Sequence, residues 1–305
     1  MTSFSKCSLL AALALAFVLS ACTSKKAELG SEKNPVKLYF IPSVDAKVID
    51  DNSKTFKEFL EKNTPYKFEV MIPQSYVAVV EAFGTKRADI SAMNTFGYVL
   101  AHERYGAEAR MTVLRHGAST YQAQFIARND DKLKSVADLK GKKLAFVDAA
   151  STSGYLLPLK VLKDKGIEPA ETVFAGKHDN VVSMIYNGQV DAGATFYSPP
   201  DAEGIQDARR LVKTQYPDVE KRVKILELTE GIPNDPIVFR KEMPEEMKNV
   251  IVEAFLKFVA TPEGKEAFQK IYAVDDIKRA SDADYDAVRT MLKALGKNAD
   301  ELMKK

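Results

Sequence analysis

The sequence predicts an α/β fold with mainly parallel sheets, arranged as two similar lobes, and three observations carry that expectation. Strand and helix candidates alternate from Val36 onward, as they do in chains that bury a parallel sheet between helices. One unit recurs at a fixed offset: Val79-Val80 and Asp89 reappear as Val181-Val182 and Asp191, each 102 residues later. At that offset Tyr76 falls on His178, both at or just before the first turn of a helix candidate. A chain of 305 residues also suits two domains at ~100–200 residues each.

The elements follow in order. Lys6 and the apolar run Leu9 to Leu19 read as a signal peptide, because eleven residues cannot cross a bilayer core that needs about 20. The run ends in Leu19-Ser20-Ala21-Cys22, which resembles a bacterial lipobox, so residues 1–21 are expected to be removed and Cys22 lipidated. A secretory signal cut after Ala21, leaving a free cysteine, is the alternative. Residues 22–35 then read as a polar tether. Val36–Ile41 is a strand, Phe56, Phe59 and Leu60 mark an amphipathic helix, and Tyr66–Ile72 alternates as a second strand. Helix Ser75–Phe83, strand Ala88–Met93, helix Asn94–Tyr105 and strands Met111–Leu114 and Tyr121–Ala127 come next. Strand Lys143–Val147, helix Ser153–Lys165, strand Thr172–Ala175, helix Val181–Asn187 and strand Val190–Phe196 complete the alternation. After Met243 the pattern reads as helical throughout.

Composition removes several function classes. Lys+Arg total 44 against 42 acids, a formal charge of +2, so no net field draws the chain to nucleic acid. Three histidines, far apart and never at H-x-x-x-H spacing, argue against a histidine-built metal site, and no cofactor is expected. Cys7 and Cys22 both lie in the first 22 residues, so no disulfide framework is expected in the folded part. No nucleophile elbow, P-loop or dinucleotide fingerprint follows a strand. A triad of Ser153, His178 and Asp235 can be drawn, but no spacing compels it.

The chemistry gathers after the Lys143–Val147 strand, at Ser151-Thr152-Ser153-Gly154-Tyr155. Three hydroxyls and free backbone N–H groups at one helix N-terminus form a natural seat for a tetrahedral oxyanion, and exceed what a simple cap requires. His178 opens another helix as Gly176-Lys177-His178-Asp179-Asn180, where a ring nitrogen could donate to an anion or simply meet solvent. Ile232-Pro233-Asn234-Asp235-Pro236 brackets a polar pair with two prolines, a rigid turn presenting Asn234 and Asp235 or a plain Asx turn.

Together with the lead-in Ser135-Val136-Ala137-Asp138-Leu139-Lys140-Gly141-Lys142-Lys143 and Val190-Asp191-Ala192-Gly193-Ala194, this ordered set resembles the phosphonate/phosphite-binding proteins of ABC importers. The resemblance implies a two-lobed type II periplasmic-binding-protein fold with two crossover strands. Lobe one is then expected over 36–122 and 232–305, and lobe two over 123–231. It also implies that Ser151, Thr152, Ser153 and His178 hold the phosphorus head group, that Tyr76 and Tyr121 line the cleft, and that Asp235 faces the ligand. A departure is the absence of an acidic residue in Thr195-Phe196-Tyr197-Ser198-Pro199-Pro200, which weakens the case for an amino-bearing phosphonate. The expected protein is a monomeric, lipid-anchored binding protein outside the cytoplasm. It would pass a small phosphorus oxyanion to an ABC permease and catalyse no reaction. The alternatives are a ligand sensor signalling to a membrane protein and, further off, a phospho-ester hydrolase on the same fold.

Overall fold

The computed structural model describes residues 27–130, 132–202 and 204–295, so the signal-peptide and Cys22 expectations lie outside the described residues. The described strands form two sheets. The first is built by β1 (Val36–Phe40), β2 (Phe68–Met71), β3 (Ile90–Ala92), β4 (Glu108–Leu114), β10 (Pro236–Phe239) and β11 (Asp276–Arg279), in the spatial order β2-β1-β3-β10-β4-β11. The second contains β5 (Thr120–Arg128), β6 (Lys143–Phe146), β7 (Glu171–Phe174), β8 (Ala192–Tyr197) and β9 (Val223–Pro233), in the order β7-β6-β8-β5-β9. β1 lies between β2 and β3 in the first sheet, and β6 lies between β7 and β8 in the second, which makes a topological switch point in both lobes.

The chain passes between sheets twice, at residues 115–119 and at Asn234-Asp235. These passages lie a few residues outside the expected boundaries at 122/123 and 231/232, because β5 and β9 pair along almost their whole length in the second sheet. The sheets are mixed rather than mainly parallel. β1 with β2 and β3, and β6 with β7 and β8, are parallel, whereas β10 and β5 run antiparallel to β3 and β8. The parallel pairs join through helices, while the strands arriving from the other lobe enter by short passages and run opposite.

The 102-residue repeat is structural. Asp89 Oδ2 accepts from Lys37 N–H at 3.0 Å at the head of β1, and Asp191 Oδ2 accepts from Lys143 N–H at 2.8 Å at the head of β6. The first aspartate ties the start of β3 to β1, and the second ties the start of β8 to β6. Arg240 covers the remaining charge of Asp89 at 2.8 Å, a nearly buried pair whose disruption would leave an uncompensated charge.

Helices cover the sheets by their apolar faces. On α1 (Ala46–Asn63) the residues Ile49, Ser53, Phe56 and Leu60 recur at helical spacing and are buried, and Asp45 caps the first turn. Phe56 meets Phe255 edge-on at 4.6 Å and Phe268 at 5.1 Å, joining α1 to α7 (Glu245–Val259) and α8 (Pro262–Tyr272). Helices α2 (Tyr76–Gly84), α3 (Thr95–Tyr105), α4 (Leu157–Asp164) and α5 (His178–Tyr186) follow strands of the two lobes. Short α6 (Val219–Arg222) leads into β9, and α9 (Asp286–Ala294) lies against α3 of one lobe and α4 and β9 of the other.

Three expectations are corrected. The C-terminal stretch is not helical throughout: β11 pairs antiparallel with the edge of β4, and only Ile277 of its four residues is buried, so it carries no alternating apolar signal. β9 and β10 also arise where no strand is expected. Residues 27–34 do not belong to a free tether, because Gly30 N–H donates to Asn34 O at 2.8 Å and Lys67 N–H donates to Gly30 O at 2.7 Å, docking this turn beside β2.

Candidate functional site

The carboxyl ends of the central strands of both sheets face one another across a cavity of ≈ 70 Å³. One water needs only ~10–15 Å³, so this space suits a small ligand. Four helix beginnings point into it, two from each lobe. Lobe one contributes Tyr76, the first residue of α2, and Asn94, which precedes α3; lobe two contributes Ser151 and Ser153 ahead of α4, and His178, the first residue of α5. Helix N-termini concentrate free N–H groups and about half a positive charge each, which favours an anion.

The serine-rich turn has a specific backbone. Thr152–Leu156 forms a π-helical turn before α4, in which Leu156 N–H reaches back to Ser151 O at 2.9 Å. Such widened turns favour ligand sites because they splay the first N–H groups. Gly154 is required here: a Cβ would sit 2.3 Å from Val147 Cγ2 at the end of β6. Ser151 Oγ accepts from Gly154 N–H at 3.1 Å, so the turn caps itself while its serines remain on the cavity wall.

Six of the seven sequence-predicted residues, Tyr76, Tyr121, Ser151, Ser153, His178 and Asp235, line this cavity. The hydroxyl of Thr152 points elsewhere. Its Oγ1 accepts from Asn94 Nδ2 at 2.9 Å and from Phe96 N–H at 2.8 Å, and shares a hydrogen bond with Thr95 Oγ1 at 2.9 Å. A hydroxyl has one donor and two lone pairs, so that capacity is fully used and none is left for a ligand. These partners belong to the start of α3, which makes Thr152 a clasp between lobes. Asn94 Nδ2 to Ala150 O at 2.7 Å and Tyr76 N–H to Asp148 Oδ2 at 3.3 Å tie the same seam. Asn234 is also structural: fully buried, it donates to Ala118 O and its N–H to Ser119 O, stitching the two passages together.

Sequence reasoning missed Arg115, Arg210, Tyr272 and Asn94, all on the cavity wall. Arg115 donates to Asp235 Oδ2 at 2.7 Å and to Tyr272 O at 2.9 Å, and lies 5.8 Å from the Tyr121 ring centre. Burial, reinforced by the Asp235 charge, raises the phenol pKa values of Tyr121 and Tyr272, so both remain neutral donors. Burial pushes His178 down to about 3, leaving a neutral imidazole whose Nδ1 has no partner. That orphan nitrogen also argues against the Ser-His-Asp alternative, since no carboxylate orients the ring and Asp235 is committed to Arg115.

This depression has a pH consequence. Because the unfolded chain protonates at 6.5 and the folded one at about 3, the contribution of neutral His178 to stability is lost as pH falls from 6.5 toward 3. Between pH 7 and pH 5 the ligand-free protein should therefore lose about 2 kcal/mol more stability than His178→Ala. Urea unfolding of both at the two pH values measures the difference, and equal losses would contradict a buried neutral ring.

The family model for ABC transporter, phosphonate, periplasmic substrate-binding protein matches residues 38–285. The chain is 32% identical over 207 residues to the phosphate-import protein PhnD of Mycolicibacterium smegmatis, covering 61% of this chain and 64% of that protein. It is 27% identical over 225 residues to the phosphonates-binding periplasmic protein of Escherichia coli, covering 71% of this chain and 64% of that one. The matched stretches thus span slightly under two thirds of these relatives' own length. Among solved structures, PhnD1 from Prochlorococcus marinus in complex with methylphosphonate superposes with a TM-score of 0.74 at 19% identity, covering 86% of this chain and 98% of that one. A binding protein component of an ABC phosphonate transporter from Pseudomonas aeruginosa gives 0.75 at 20% identity, over 86% and 87% of the two chains. These two share the fold, in which two mixed sheets flank a cleft. With the family model extending from β1 to the turn before α9, the chain belongs to the periplasmic substrate-binding proteins of phosphonate ABC transporters.

Proposed function

We propose that this protein captures a small phosphorus oxyanion between its lobes and delivers it to an ABC permease without breaking a bond. One observation carries the reading. Tyr76 Oη, Asn94 Oδ1, His178 Nδ1, Asp235 Oδ1 and Arg210 Nε are buried polar atoms without a protein partner, and all five residues line one cavity. Each such orphan costs roughly 1–3 kcal/mol, and a ligand that satisfies several at once recovers that cost. In this reading the serines, His178 and the helix ends hold the PO₃ oxygens, while Asp235 accepts from a P–OH group. Tyr76 and Tyr121 close over the remaining substituent.

Lobe one carries the first sheet and lobe two the second, with residues 115–119 and Asn234-Asp235 as the hinge. Closure around the ligand presents the permease with a surface that the open form lacks. A lipid on Cys22 holds the monomeric protein at the extracytoplasmic face of the membrane, as the lipobox-like Leu19-Ser20-Ala21-Cys22 supports.

The test is calorimetric titration with phosphite, methylphosphonate, aminoethylphosphonate, phosphate and sulfate. At least one phosphorus species should bind tighter than about 1 mM, with sulfate weaker. A folded protein that ignores every phosphorus species would overturn the reading.

A further inference from the structure

Charge balance in the cavity leaves one group over. The charged side chains on its wall are Arg115, Asp235 and Arg210, and the first two neutralise each other at 2.7 Å. Arg210 stands on the 3₁₀ turn Ala208–Val212 of lobe two, and its Nε is buried without a partner. The acids whose charges reach it are engaged elsewhere: Asp207 holds Arg209 at 2.8 Å, and Asp201 accepts from Gln206 Nε2 at 2.9 Å. Keeping a guanidinium half-buried and unpaired is costly unless a ligand anion completes it.

Its position identifies which part of the ligand that would be. Arg210 lines the inner cavity, where it is the charged group left without a partner among the described residues. It also borders a second, outer groove of ≈ 310 Å³, whose wall includes Gln206, Lys213, Gln269 and Lys270. Gln206 and Arg210 line both spaces and so form the partition between them. In the groove Lys213 is paired with Glu220 at 3.0 Å and Lys270 with Glu266 at 2.6 Å, so Arg210 is its unpaired cation among the described residues. Gln269, on α8 of the opposite lobe, also has a buried Oε1 without a partner.

We propose that Arg210 and Gln206 form a second subsite that binds the far end of the ligand, and that this ligand is a phosphonate whose short organic substituent ends in a carboxylate. The proposal rests on reading the inner cavity as the phosphorus site. A planar guanidinium fork matches a carboxylate in bidentate geometry. An amine in the same place would meet an uncompensated positive charge, and Thr195–Pro200 provides no acid to receive it. A bare phosphite would leave the arginine unpaired.

Calorimetric titration of the purified protein with methylphosphonate, phosphonoacetate and aminoethylphosphonate tests this. Phosphonoacetate should bind about tenfold to a hundredfold tighter than methylphosphonate, the range expected for one charge-assisted pair. In Arg210→Gln that ratio should collapse to within about threefold, with Arg210→Lys, which keeps the charge but not the fork, lying between. If Arg210→Gln does not fold, as judged by circular dichroism, Arg210→Lys carries the comparison. Methylphosphonate binding with no preference for phosphonoacetate, or a preference unchanged in the variants, would overturn the subsite and leave the inner site standing. Failure of every phosphonate to bind would overturn both.

Discussion

Replacing Thr152 with valine should weaken ligand binding by about tenfold to a hundredfold, although its hydroxyl does not face the cavity. The substitution keeps the shape and removes an oxygen that meets Asn94, Thr95 and the Phe96 N–H of the other lobe at 2.8–2.9 Å. In the open form that the proposed capture requires, those groups would turn to water, so the loss is expected to fall on closure rather than on folding. Two or three bonds at roughly 0.5–1.5 kcal/mol each set the size of the effect, with 1.4 kcal/mol per tenfold. Calorimetry reads the affinity, and small-angle scattering reads whether saturating ligand still compacts the variant. Equal affinity in the two proteins would mean that the cluster is not a closure clasp.

Asp235→Asn should change selectivity as strongly. One carboxylate oxygen holds Arg115 and the other is buried on the cavity wall without a partner. A carboxylate only accepts, so it favours an oxyanion that retains a P–OH proton and repels a fully ionised one. The amide adds a donor and frees the charge of Arg115. Affinity for sulfate relative to phosphite should rise about tenfold or more, since one charge-assisted contact is worth roughly 1.5–3 kcal/mol. Competition titrations at neutral pH give the ratio, and relative affinities that stay the same would refute the role assigned to Asp235.

Much of this architecture is legible in the sequence because it is local. The alternation through Phe196, the repeated Val-Val and Asp positions and the hydroxyl-rich turn before α4 follow from short-range patterning. The repeat also points to the cavity, since Tyr76 and His178 open equivalent helices on its two walls. What stays hidden depends on distant neighbours. β11 is a polar edge strand that exists because β4 offers it a partner. Arg115 and Arg210 look like any surface arginine until the second passage brings Asp235 to the first and the cavity wall half-buries the second. Thr152 goes the other way: it stands in the hydroxyl-rich turn, but the facing lobe claims its hydroxyl.

The most direct test is a crystal structure of the protein grown with methylphosphonate. One phosphonate should lie in the cavity between the lobes, its PO₃ oxygens within hydrogen-bond reach of Ser151, Ser153 and His178, and its methyl group toward Tyr121. A phosphonate bound outside this cavity, or held there with the serines and His178 unused, would contradict that placement.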